Sequence, residues 1–136
     1  MVPKEVSFGF ARWDNGTVMV VDDSNDIREM ICIQLRRRGY RVVGAANGEE
    51  AVELVQRSEP GLILMDLSMP VMDGYEATRR IKALPMLGGV PVVAVSASSD
   101  SRVRSKALEA GCIDCVSKPI DLVTIDGLVS RHFQAH

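Results

Sequence analysis

Three short, unbroken apolar runs constrain this chain more than any other feature. Val18-Met19-Val20-Val21, Leu62-Ile63-Leu64-Met65 and Val92-Val93-Ala94-Val95 carry no polar residue on either parity. A strand built from any of them must therefore be covered on both faces, as in the middle of a parallel sheet. Helical patterns alternate with these runs. Ile27, Met30, Ile31 and Leu35 fall on one helix face; Arg36, Arg37 and Arg38 then place cations at its C-terminal end, and Gly39 supplies a left-handed cap. The pattern predicts a strand at Arg41 to Ala45 and a short one at Cys115-Val116. Further helices are expected around Ala51, Leu54 and Val55; Thr78, Ile81 and Leu84; Val103, Ala107 and Ala110; and Leu122, Ile125, Leu128 and Val129. The alternation is (βα)5, an α/β class that calls for a doubly wound parallel sheet with right-handed crossovers.

A chain of 136 residues with 46% hydrophobic residues fills one core and is too short for two ordinary domains. The formal charge of −2 comes from interspersed acids and bases, with no basic block suited to direct nucleic-acid binding. No stretch approaches the roughly 20 apolar residues of a membrane span, so a cytoplasmic domain without membrane contact is expected. Three cysteines are too few for a disulfide scaffold and are expected to be reduced. Residues 1–16 stand outside the strand-helix pattern as an extension or linker, although Phe8, Phe10 and Trp13 make them relatively aromatic. Residues 17–136 form the domain.

In an open parallel sheet, ligands sit beyond the carboxyl ends of the strands. The first predicted strand ends in Asp22-Asp23, the third in Asp66, the fourth in Ser96 and the fifth in Lys118-Pro119. Either Asp22 or Asp66 alone would ordinarily be a helix N-cap. Four strand ends contributing together, while the strand at Arg41 to Ala45 runs into Ala46-Asn47, point instead to a site. Three carboxylates brought within a few ångströms repel by several kcal/mol per pair at an effective dielectric near 20, and Lys118 offsets only one charge. The cluster calls for a hard cation that keeps waters and leaves room for phosphate oxygens, which describes Mg2+ better than an all-protein Ca2+ cage. With that charge neutralised, Asp66 is the candidate nucleophile toward a phosphoryl group.

The segments Val20-Val21-Asp22-Asp23, Met65-Asp66-Leu67-Ser68-Met69-Pro70-Val71-Met72-Asp73-Gly74, Val95-Ser96-Ala97 and Ser117-Lys118-Pro119 resemble the signature set of response-regulator receiver domains, over Thr17 to Arg131. The resemblance implies a flavodoxin-like sheet of order 2-1-3-4-5. It further implies that Asp66 accepts a phosphoryl group from the phosphohistidine of a sensor histidine kinase or histidine phosphotransferase, in a two-component phosphorelay. Asp23 would bind Mg2+ (or Mn2+) directly, Asp22 largely through water, and the Ser68 backbone carbonyl would complete the protein ligands with Asp66. Lys118 would contact the phosphoryl oxygens and Ser96 would swing in to meet them. A cis bond at Lys118-Pro119 and an unusual backbone angle at Gly74 are expected. The domain would be regulatory rather than an enzyme, signalling to a downstream protein through the face of helix 4, strand 5 and helix 5. Two features depart from the pattern. Cys115 stands where the family usually has an aromatic switch residue, and Ser68 and Ser98 occupy positions that tune aspartyl-phosphate hydrolysis.

Other patterns yield weaker readings. Cys112-Ile113-Asp114-Cys115 has thiol-redox spacing, but the pair follows Gly111 at a helix C-terminus, where the dipole raises a thiol pKa. Arg36 to Arg38 read as a solvated helix end, and neither His132 nor His136 as a ligand. An aspartyl-phosphate hydrolase of small esters is an alternative, though such enzymes carry the nucleophile at the first strand within D-x-D. A binding module that lost its chemistry is another, opposed by the five side chains present. The domain is either a stand-alone receiver or a receiver module excised from a hybrid histidine kinase, the latter suggested by Ser7-Phe8-Gly9-Phe10.

Overall fold

A computed structural model describes residues 16–98 and 100–134. Ten elements alternate along the chain: β1 (Thr17–Val21), α1 (Asn25–Arg37), β2 (Arg41–Ala45), α2 (Gly48–Ser58), β3 (Leu62–Asp66), α3 (Gly74–Lys82), β4 (Val92–Ser96), α4 (Ser101–Ala110), β5 (Asp114–Ser117) and α5 (Leu122–His132). The strands form one parallel sheet in the order β2-β1-β3-β4-β5, the flavodoxin-like topology.

The pleat explains the unbroken apolar runs. Met19, Val21, Ile63, Met65, Val92 and Ala94 enter one core with Ala51 and Val55 of α2, Ala77 and Ile81 of α3 and Ala107 of α4. The alternate residues Val18, Val20, Leu62, Leu64, Val93 and Val95 enter a second core with Ile31 and Leu35 of α1 and Ile125 and Leu128 of α5. Each face needs its own apolar set, so neither parity can be polar. β2 and β5 lie at the edges and are only half covered.

Several local expectations are met and others corrected. Gly39 takes the left-handed conformation (φ 88°) just after α1, and the Lys118-Pro119 bond is cis. Met30 does not join the core; it is exposed and edges an apolar groove with Ile27, Ile31 and Ile120 beside Lys118. Leu122 is likewise exposed, because α5 begins there and only its next turns reach the sheet. Leu84 lies in the turn after α3 and still packs against the first core. Phe133, beyond the span of the family resemblance, packs on the Tyr40 ring at 5.1 Å between centroids. Residues 1–15, with Ser7-Phe8-Gly9-Phe10 and Trp13, and His136 lie outside the described residues.

Candidate functional site

The site is built where β1, β3 and β5 end. Asp22 follows β1, and its N–H continues the ladder by donating to the Ala45 carbonyl at 3.1 Å. Its Oδ1 accepts from the Ser24 N–H at 2.9 Å. Capping of α1 falls to Ser24, whose hydroxyl accepts from Ile27 N–H, and capping of α3 falls to Asp73, which accepts from Glu76 N–H. Neither Asp22 nor Asp66 is a helix cap. Both are buried at strand ends with their charges committed elsewhere.

Asp22, Asp23 and Asp66 each present a carboxylate oxygen within 4.8 Å of the others. Lys118 Nζ stands 3.3 Å from Asp22 Oδ2 and 3.3 Å from Asp66 Oδ2, bridging the two buried members. Asp23 is exposed on the open side. Burial, reinforced by the neighbouring Asp22 charge, raises the Asp66 pKa above the ordinary carboxylate range, against the opposing pull of Lys118 and the Ser68 N–H. Burial by itself would lower the Lys118 pKa, but Asp66 and Asp22 outweigh it and the net shift is upward. One ammonium thus serves two buried carboxylates, and a third adjoins them. A hard dication with oxygen donors fits that donor set, since Asp23 leaves one side open for waters and a further ligand.

The remaining predicted residues surround this cluster. The Ser68 N–H donates to Asp66 Oδ1 at 3.3 Å. Ser96 ends β4, paired with Ser117 in β5, and its buried hydroxyl accepts from the Ser98 N–H at 3.1 Å. The Lys118 N–H donates to the Ser96 carbonyl at 2.7 Å, tying the two strand ends together. Gly74 differs from its expectation. It begins α3 with no positive φ, and its requirement is space: a Cβ there would lie 2.2 Å from the Asp66 carbonyl oxygen. The positive φ in this turn falls on Val71, at 72°.

Sequence reasoning missed two features. The first is His132, whose Nε2 lies 3.1 Å from Asp114 Oδ2, so a carboxylate does stand beside it. The same carboxylate meets Arg104 of α4 at 3.4 Å, and Arg104 also donates to the Cys115 carbonyl. Burial of Asp114 is outweighed by the Cys115 N–H, His132 and Arg104, which together hold its pKa low. The second is Arg28, which reaches back to the β1–α1 turn. Cys112 and Cys115 are free, and burial is the main cause that raises both thiol pKa values. The redox reading gains nothing from the fold.

A family model described as the response regulator receiver domain matches residues 18–130. The chain is 36% identical over 115 residues to the sensor histidine kinase RcsC of Salmonella typhi, an alignment covering 85% of this chain and 12% of that one. It therefore spans about an eighth of that relative's length. Among solved structures, it resembles the receiver domain of the Pseudomonas aeruginosa sensor histidine kinase PA1611, described with a magnesium ion coordinated in the active-site cleft (TM-score 0.80, 34% identity, covering 86% and 96% of the two chains). It also resembles the complex of the Saccharomyces cerevisiae histidine phosphotransfer protein Ypd1 with the receiver domain of Ssk1 (TM-score 0.83, 29% identity, 91% and 94%).

Proposed function

The chain belongs to the response-regulator receiver family of two-component signalling, and on that premise we propose that it accepts a phosphoryl group on Asp66 with a divalent cation held by Asp22, Asp23 and Asp66. The observation that carries this reading is the placement of Lys118 midway between Asp22 and Asp66, with the Asp23 oxygen close by and open to solvent. Asp22 has one oxygen engaged by Ser24, and Asp23 faces outward. Asp66 is buried at the end of β3 beside Lys118, and burial raises its pKa from the ordinary carboxylate value, which favours it as a nucleophile once its charge environment is balanced.

In the proposed transfer an Asp66 carboxylate oxygen attacks the phosphorus of a phosphohistidine. A P–O bond forms, the P–N bond breaks, and its electron pair returns to the imidazole nitrogen. Bound Mg2+ (or Mn2+) would supply neutralisation of phosphoryl oxygens, with the Ser68 carbonyl as a further ligand by family resemblance. Lys118 remains protonated throughout and contacts the transferred group, while Ser96 exchanges its bond to Ser98 for one to a phosphoryl oxygen. The proposed donors are a sensor histidine kinase or a histidine phosphotransferase, consistent with the company the family keeps in RcsC, PA1611 and the Ypd1 complex. The domain is regulatory rather than a turnover enzyme. It acts in the cytoplasm, without nucleic-acid or membrane contact of its own, and signals through the α4-β5-α5 face. Residues 1–16 are assigned as an extension or linker to the receiver at 17–136. No helix among the described residues is long and apolar enough to cross a membrane.

The test is labelling with a small phosphodonor or beryllofluoride in the presence of Mg2+. The wild type is expected to take one group per chain and Asp66→Asn none. Undiminished labelling of that variant would put the acceptor elsewhere.

A further inference from the structure

We propose that Arg28 is the positioning residue that aims Asp23 at the cation, a role that rests on the reading of Asp22, Asp23 and Asp66 as the cation site. Arg28 lies in the first turns of α1, and its side chain doubles back over the end of β1. Its Nη1 donates to the Asp22 carbonyl oxygen at 2.6 Å, and its Nη2 donates to Asn25 Oδ1. The aliphatic stem crosses β2 at Gly44, where a Cβ would sit 3.2 Å from Arg28 Cδ.

This arrangement grips Asp22 at every polar atom. Its N–H is held by Ala45, its carboxylate by Ser24 and Lys118, and its carbonyl by Arg28. Asp23 has no such support: its exposed carboxylate has no hydrogen-bond or ion-pair partner among the described residues. What directs it is the plane of the Asp22–Asp23 peptide, because that planar unit fixes where the Asp23 Cα begins. Arg28 holds the oxygen of that peptide. A planar guanidinium bonding two acceptors from a braced stem fixes an orientation that a flexible ammonium does not.

Charge and positioning make opposite demands. A cation near the site repels a dication, so if Arg28 acted only through its charge, removing it would tighten Mg2+ binding. If it acts by positioning, removing it weakens binding despite the relief of repulsion. Outer partners that orient metal ligands are typically worth 10–100-fold in affinity.

The experiment is a Mg2+ titration of the full chain by calorimetry, with amide chemical shifts of residues 22–24 followed in parallel. About tenfold weaker binding is expected for Arg28→Ala and for Arg28→Lys, the second of which keeps the charge. Gly44→Val, which pushes the stem off β2 with every charge in place, is expected to weaken binding several-fold. Combining Gly44→Val with Arg28→Ala is expected to add nothing further, as for two changes acting through one contact. Unchanged or tighter binding by Arg28→Ala, with the wild type binding normally, would overturn the role of Arg28 alone. A wild type that binds no Mg2+ would overturn the site reading beneath it.

Discussion

Replacing Asp66 by Asn is expected to stabilise the cation-free domain at neutral pH by about 1–3 kcal/mol. The carboxylate oxygens of Asp66 and Asp22 lie within 4.8 Å, a repulsion of at least about 3.5 kcal/mol at an effective dielectric near 20. Asp23 is exposed, and solvent screens its share to about 1 kcal/mol. Lys118, at 3.3 Å, returns roughly 5 kcal/mol on the same scale. Those charge interactions nearly cancel. What decides the sign is the desolvation of a carboxylate that is only 3% exposed, worth several kcal/mol for an ion and much less for an amide. At about 4 °C per kcal/mol the melting temperature should rise by roughly 4–12 °C. Burial raises the Asp66 pKa, so the folded state keeps a proton that the unfolded chain releases. Stability from the protonated form is present below the ordinary carboxylate pKa and is lost as pH climbs through the raised folded value. The gap between Asp66→Asn and wild type should accordingly be small near pH 3, widen across that window, and shrink again at neutral pH when Mg2+ binds the wild type. Saturating the wild type at 100 times its dissociation constant is worth about 2.7 kcal/mol. The assay is thermal unfolding from pH 3 to 8 with chelator and with Mg2+. A variant that melts below the wild type at pH 7 in chelator, or a gap indifferent to pH, would refute the reasoning.

Two further outcomes are expected. Gly74→Ala puts a methyl 2.2 Å from the Asp66 carbonyl oxygen, a backbone clash that should cost more than about 3 kcal/mol and slow labelling of Asp66; an unchanged melting temperature would contradict the close approach. Ser96→Ala should abolish the beryllofluoride-induced chemical-shift changes along α4, while Cys115→Ala preserves them at a cost of about 1 kcal/mol in packing; the reverse pattern would overturn a coupling route through the Ser96 hydroxyl.

How much of this was legible in the sequence depended on how completely each segment is covered. β1, β3 and β4 are buried on both faces, so their apolar runs admit no helix face and no amphipathic strand. β5 is short, half-covered and at an edge, and its bounds extended one residue beyond Cys115-Val116 on each side. The strand order came from family resemblance, since periodicity says nothing about which strands are neighbours. At the site, Asp22, Asp23, Asp66 and Lys118 were recoverable because parallel strands all deliver their C-terminal residues to one edge. Arg28 was not, because its partner is a backbone carbonyl, which leaves no trace in residue identity. Met30 and Leu122 share the apolar spacing of their helices yet are exposed, because helical spacing identifies a stripe and not where the stripe meets the sheet. His132 and Asp114 are 18 residues apart, and only the packing of α5 beside β5 joins them.

That last pairing bears on how α4 is held. Toward β5 it is held by Arg104, which bonds Asp114 and the Cys115 carbonyl; toward α3 it is held by Lys106, 4.4 Å from the centre of the Tyr75 ring. Arg104 is half exposed, and contacts of this kind are worth about 1 kcal/mol or less each. Only Ala107 and Ala110 of α4 are fully buried, two small residues against the larger anchors Ile31 and Leu35 of α1 or Ile125 and Leu128 of α5. Moving α4 therefore disrupts little apolar packing and a few solvent-screened polar contacts. An event at Ser96, directly before the loop that leads into α4, needs to supply only a few kcal/mol to change which arrangement of that helix dominates. On the proposed reading, with Cys115 where the family usually has a large ring, the helix would have less to drag with it, and the Ser96 end of β4 would be where such a bias enters.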